Sequence, residues 1–205
     1  MCPARLVLIR HGESEDNTGP FLSSVVPGLS LTPTGLEQAH DAARSLTHDS
    51  VAHVYCSPLR RARETADVLA ADLGLRVTVV DELREFSLGV HEGIDRETAM
   101  PPVDEMFLGW LLEGSLDRRL DGGESGHEVV ARFSTAVSDI ADTHRGQTVA
   151  VVSHGGTLTL GATVLCANLR PVFARDNPLD NCDAVVMEWD GELWRALTWA
   201  GKPLD

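Results

Sequence analysis

No stretch of this 205-residue chain approaches the run of about 18 apolar residues that a membrane-spanning helix needs. The sequence is therefore not expected to cross a bilayer. It has no CxxC pair. Its four cysteines, Cys2, Cys56, Cys166 and Cys182, are widely scattered. That spacing supplies neither a zinc signature nor a dense disulfide framework, so a reducing cytoplasm is the default expectation. Positive charge is also scarce: 17 Lys and Arg against 31 Asp and Glu give a net charge of −14. A phosphate backbone or an anionic membrane is met by basic surfaces, so neither is expected as the main partner. A small anion stays compatible, because a few arginines govern the field inside a pocket. The opening MCPARLVLIR reaches a charge after only a short apolar run, too short for a signal peptide.

What is present is ordinary for a globular protein, with 43% hydrophobic and 23% charged residues. The length suits one domain, residues 1–205. ARLVLI, from Ala4, is apolar at consecutive positions and reads as a strand covered on both faces. A helix follows over SLTPTGLEQAHDAARSL, capped by Thr32 or Thr34, with Leu36, Ala39, Ala43 and Leu46 on one stripe. VAHVYCS reads as a second strand. It leads into a helix with Ser57 as N-cap, Pro58 in its first turn and Gly74 at its end. LRVTVV is a third strand.

From about Glu82 to Gly122 the pattern is irregular, with two prolines, Trp110 and scattered charges, and reads as a lobe at about 86–121 inserted over the sheet. A helical period resumes through Val129, Phe133, Ala136, Val137 and Ile140. QTVAVVSHGG is another buried strand, followed by a helix over TLTLGATVLC. DAVVMEW and LWRALTW flank the Asp190-Gly191 turn as a hairpin. Strands alternating with helices imply an α/β sheet with helices on both faces.

In such sheets ligands sit outside the carboxyl ends of the strands. Two strands end in histidine and glycine, LVLIRHG and VAVVSHGG, which brings His11 and His154 to one edge. A third strand opens a helix carrying Arg60 and Arg61 in its first turn. Helix starts suit anions. Arginine offers a planar fork matched to phosphate oxygens, and a neutral imidazole can be a covalent nucleophile. A proton donor for a leaving oxygen could come from Glu82, Glu85 or Glu92 in DELREFSLGVHEG.

Five blocks in order, LIRHGESEDN, SPLRRARETA, LREFSLGVHEG, GGES and VVSHGG, resemble the histidine phosphatase superfamily, also called phosphoglycerate mutase-like. The resemblance implies a three-layer α/β/α sandwich with a mainly parallel central sheet, and a chemistry without metal or other cofactor. It implies that His11 accepts the phosphoryl group, that Arg10, Arg61 and His154 bind its oxygens, and that Asn17 lies near the phosphate. Arg61 is selected over Arg60 because the family's arginine directly precedes the alanine of its block. Glu85 matches the acid that protonates the leaving group and then activates water. One departure is His91, in GVHEG, where many members carry tryptophan. It leaves the shape of the pocket roof open.

The mutase branch carries a longer insertion and an ERxYGxLxGLNK stretch where this chain reads REFSLGVHEGID. Both differences favour hydrolysis of a small phosphorylated metabolite. Cofactor-dependent phosphoglycerate mutase, or another phosphomutase, is the alternative, and non-catalytic phosphate recognition the third reading. Arg118-Arg119 is read first as an exposed charge pair and second as a contact to substrate. Arg60 and Arg63 are read as a solvated face pairing with Glu64 or Asp67. His40, His48, His53, His127 and His144 are read as non-catalytic, and the four tryptophans as packing. The chain leaves a homodimer open.

Overall fold

The computed structural model describes residues 2–205. Strand β1 (Ala4–Arg10) is the axis of the molecule, and Leu6, Val7, Leu8 and Ile9 are all buried. Side chains alternate across a strand, so these four divide between two cores. Leu6 and Leu8 join Val149, Val151, Phe133, Val137 and Leu158 on one face. Val7 and Ile9 join Ala150, Val152, Ala43, Ala62, Ala66 and Leu69 on the other. A continuous apolar run is what a strand needs when helices cover both sides.

The remaining strands are β2 (Val51–Cys56), β3 (Val77–Val79), β4 (Thr148–Ser153), β5 (Ala184–Trp189), β6 (Trp194–Trp199) and β7 (Lys202–Pro203). They form one sheet in the order β3-β2-β4-β1-β5-β6-β7. The first four in that order are mutually parallel. The edge from β5 to β7 is antiparallel, the closing hairpin included. Helices are α1 (Glu15–Thr18), α2 (Pro33–Leu46), α3 (Arg60–Leu73), α4 (Arg96–Glu113), α5 (Gly126–Thr143), α6 (Gly155–Leu165) and α7 (Pro171–Asp176). Buried residues of α2 and α3 cover one face of the sheet, and those of α5 and α6 the other. Among the described residues no helix is long and apolar enough to cross a membrane.

Three local expectations need correction. Thr32 does cap α2, accepting from the Gly35 N–H at 3.0 Å, but Leu36 is exposed rather than part of the buried stripe. Helix α3 begins at Arg60 with Leu59 as its N-cap, not at Ser57. The Ser57 side chain is turned instead toward a histidine of the neighbouring strand. Most consequentially, the irregular segment contains the 18-residue helix α4, with Pro101 and Pro102 inside it. Each proline removes one helical hydrogen bond, yet Val103, Met106 and Trp110 anchor the helix in a third core with Phe86, Leu88, Val129 and Leu160. Tertiary packing overrides the breakers here.

The end of β1 is locked to the start of α2 by two glycines. A Cβ at Gly12 would lie 2.5 Å from the Gly35 carbonyl oxygen, and a Cβ at Gly35 would run into the Glu13 backbone. Gly35→Ala should therefore push the two segments apart and lower stability by about 1–3 kcal/mol. A chemical-denaturation midpoint equal to that of the parent chain would contradict this close approach.

Candidate active site

Because β1 and β4 are adjacent and parallel, with Arg10 opposite Ser153, their carboxyl ends deliver His11 and His154 to the same place. The two ring centroids are 5.1 Å apart. Both side chains are buried. His11 Nδ1 lies 2.7 Å from the Gly12 carbonyl oxygen. A carbonyl can only accept, so Nδ1 carries the proton and Nε2 keeps a lone pair. Arg61 Nε donates to that Nε2 at 3.0 Å. The Arg61 fork is fixed in turn by Asp16, whose Oδ2 accepts from Nη1 at 2.8 Å and from the Leu29 N–H at 2.9 Å. Ser57 accepts the Leu59 N–H at 3.3 Å, and its hydroxyl sits 2.7 Å from His154 Nε2. With the Ser57 proton directed there, His154 Nδ1 is left as a buried donor.

That Nδ1 and Arg10 Nε are buried and have no hydrogen-bond partner among the described residues. Arg10 Nη1 donates to the Leu179 carbonyl at 2.6 Å. Burial, reinforced by the Arg61 charge, holds both imidazoles well below the ordinary histidine value, so both are neutral near pH 7. Burial also lowers both guanidinium values, opposed by Glu85 for Arg10 and by Asp16 and Glu85 for Arg61. Two fixed guanidinium groups beside neutral imidazoles suit a compact dianion.

Glu85 follows the 3-10 turn Asp81–Leu83 and lines the same cavity as His11, its carboxyl held against the start of α6. Its Oε2 accepts the Gly156 N–H at 3.1 Å. Its Oε1 lies 2.9 Å from the Thr157 N, 2.8 Å from the Thr157 hydroxyl and 3.1 Å from the Phe86 N. The segment around it is held by Glu124 of the GGES block. Glu124 accepts from the Ser87 N–H at 3.0 Å and pairs with Arg132 at 2.8 Å. Arg132 in turn donates to the Glu82 and Arg84 carbonyls. Burial disfavours the Glu124 carboxylate, but the Arg132 and Ser87 donors outweigh it and keep its pKa low.

The expected residues Arg10, His11, Asn17, Arg61 and Glu85 line one cavity of about 490 Å³. His154 is packed beside His11 but is not among the lining side chains. Asn17 uses Oδ1 to accept from Ser14 and Asn181, which leaves its Nδ2 for a ligand. Of the other carboxylates, Glu82 is exposed, while Glu92 accepts from the Ser24 and Leu88 N–H groups and clamps the loop before α2. His91 sits in a 3-10 turn and is not among the residues that line the cavity. Arg118 pairs with Glu105 and Arg119 with Glu128, both away from the cavity. Arg60 and Arg63 make no ion pair among the described residues, contrary to the pairing expected with Glu64 or Asp67.

Sequence reasoning did not find Asp16, Asn181, Thr65 or Thr157. Thr65 accepts the Gly12 N–H at 3.0 Å, and Asn181 donates to the His11 carbonyl at 2.9 Å. Asp16 had a faint signal in its place within HGESEDN. Thr65 stands within SPLRRARETA, while Thr157 and Asn181 lie far along the chain, where no periodicity points to them.

The family model described as histidine phosphatase superfamily (branch 1) matches residues 6–202. The chain belongs to the histidine phosphatase superfamily. It is 31% identical over 199 residues to phosphoglycerate mutase-like protein 4 of Arabidopsis thaliana, covering 96% of this chain and 84% of that one. The solved mycobacterial glucosyl-3-phosphoglycerate phosphatase superposes with a TM-score of 0.81 at 25% identity, over 97% of this chain and 99% of that one. A phosphoserine phosphatase mutant from Entamoeba histolytica shares the fold, with a TM-score of 0.78 at 23% identity, over 97% of each chain. This histidine phosphatase is thus an enzyme of the phosphatase type, built on the α/β sandwich of its relatives.

The two buried imidazoles tie stability to pH. Unfolded, each titrates near 6.5; folded, each does so well below that. The unfolded chain therefore takes up more protons as pH falls below about 6.5, and stability declines with it. The slope reaches up to about 1.4 kcal/mol per pH unit for each histidine. Denaturant midpoints measured between about pH 7.5 and about pH 5.5 should show this decline, and His154→Gln should flatten it. An equally steep profile in that variant would contradict a neutral buried His154.

Proposed function

We propose that this histidine phosphatase hydrolyses a small-molecule phosphate monoester through a phosphohistidine on His11. The observation that carries the reading is the tautomer lock: Nδ1 donates to the Gly12 carbonyl, so the lone pair is on Nε2. Arg61 Nε, which donates to it at 3.0 Å, turns to the phosphoryl oxygens as Nε2 attacks phosphorus. Arg10 and Arg61 neutralise the phosphoryl oxygens, and buried His154 offers its Nδ1–H. Phosphoryl transfer asks chiefly for such positioning and charge compensation.

In the first step His11 Nε2 forms the N–P bond while the bond from phosphorus to the leaving oxygen breaks. Glu85, in its acid form, gives that oxygen its proton. In the second step the Glu85 carboxylate takes a proton from water, the water oxygen bonds to phosphorus, and the N–P bond breaks to release inorganic phosphate. The Gly156, Thr157 and Phe86 N–H groups and the Thr157 hydroxyl hold the Glu85 carboxyl in place for both steps. A phosphomutase would share the first step and differ in returning the phosphoryl group to a hydroxyl of the substrate. The mutase-like name of the Arabidopsis relative keeps that second reading in view. All four thiols are free, which suits a reducing cytoplasm.

His11→Ala should abolish both phosphate release and covalent labelling by radiolabelled phosphate ester; retention of either would remove His11 from the role of nucleophile. Glu85→Gln should slow an alkyl phosphate on the order of 100-fold or more, and nitrophenyl phosphate far less, because general-acid assistance matters most for poor leaving groups. Equal losses on both esters would show that Glu85 is not the acid.

A further inference from the structure

Helix α4 presents an apolar stripe beside its core face, sharing Val103 with the core and packing Phe107 against its edge. Met100, Val103, Asp104, Phe107, Leu108 and Leu111 follow the i, i+3, i+4 spacing of one helix face, and all six line the cavity that holds His11. Five of them are apolar. Leu22, Phe86, Leu88, Pro178 and Leu179 add further apolar lining. Phe86 and Phe107 lie nearly parallel, 5.8 Å between centroids at 14°, and Trp110 backs Phe86 edge-on at 5.3 Å. Phe107 and Met100 are only partly buried and Leu108 is 40% exposed, so this apolar wall stays open to the cavity mouth.

Charge on the outer cavity points the same way. Apart from Arg10 and Arg61, the lining cations are Arg96 and Arg175. Arg96 donates to the Gly19 and Asp16 carbonyls, and Arg175 is paired with Asp176 at 2.8 Å. The charged group on the stripe itself is acidic: Asp104 has neither an ion pair nor a hydrogen-bond partner among the described residues. Burial raises its carboxyl above the ordinary aspartate value. Along the stripe itself, a second carboxylate or phosphate on the substrate would meet apolar surface and this acid. A planar apolar group would meet two stacked rings, and an amine or hydroxyl at its far end would meet Asp104.

We propose, resting on the hydrolytic reading above, that the substrate is a phosphate monoester of an apolar, ring-bearing alcohol with no second acidic group, seated against the Phe86–Phe107 wall with any polar tip at Asp104.

The test compares kcat/KM for three alkyl esters: benzyl phosphate, glycerol 1-phosphate and 3-phosphoglycerate. Benzyl phosphate should exceed 3-phosphoglycerate on the order of 100-fold, the scale set by burying one phenyl group. Asp104→Lys and Leu108→Lys each place a cation on the stripe, and should shift that ratio toward 3-phosphoglycerate by about 10-fold. Two exposed positions are used so that misfolding of one variant leaves the other to decide. A value for benzyl phosphate equal to or below that for either polar ester overturns the substrate assignment and leaves the phosphatase reading intact. A ratio that neither lysine variant moves overturns the assignment in the same way. No phosphate release from any of the three overturns the hydrolytic reading itself, and the substrate assignment with it.

Discussion

Arg61 links three parts of the site at once, through a buried guanidinium that touches the His11 imidazole at 3.0 Å and the Asp16 carboxylate at 2.8 Å. A buried cation needs a nearby anion, and a buried ion pair that loses one partner costs about 3–5 kcal/mol. Asp16 therefore supports both the site and the fold around it. Its carboxylate also accepts from Leu29, which ties the loop before α2 to the same charge. Burial, reinforced by the Arg61 charge, keeps both histidines neutral. His11 commits its Nδ1 proton to Gly12 and presents Nε2 to Arg61. The orientation of His11 and the positive charge beside it thus depend on the buried Arg61–Asp16 pair.

Glu85 stands on a separate support. The chain enters α6 directly from His154, so the helix start lies beside the histidines by connectivity. Its free N–H groups at Gly156 and Thr157 hold the Glu85 carboxyl. Glu124 and Arg132 hold the backbone on either side of it. Glu85 and His11 are therefore held by different elements, and their separation depends on how α5 and α6 pack on the sheet. The same packing seats α4, whose Val103, Met106 and Trp110 share a core with Leu160 of α6 and Val129 of α5.

Much of the site was legible because its residues sit at strand ends and helix starts. Apolar runs that finish in Arg10-His11-Gly12 and Ser153-His154-Gly155 mark buried strands whose tips carry polar groups. Legibility failed where local pattern and tertiary environment disagree. Helix α4 is apolar on two faces, one in the core and one at the cavity, and Pro101-Pro102 interrupts its hydrogen bonding. No single stripe marks it as amphipathic, so it read as irregular. Ser57 looked like a helix cap because serine before proline fits that role, but the neighbouring strand offered its hydroxyl an imidazole at 2.7 Å.

The sequence by itself determined the layered α/β class, the buried strands and the closing hairpin, and the resemblance of its ordered motifs to a family implied His11, Arg10, Arg61, Glu85 and His154 as site residues. These follow from hydrophobic period, turn chemistry and ordered motifs, all of which are local. Only the tertiary structure decided that the His11 and His154 rings pack 5.1 Å apart, and that Asp16 and Asn181 hold the site together. It alone turned the segment above the sheet into a mostly apolar wall. The physical reason is that hydrogen bonds and packing across 45 residues, as between Asp16 and Arg61, or 170, as between His11 and Asn181, leave no trace in local periodicity. They exist only once the sheet has brought their elements together.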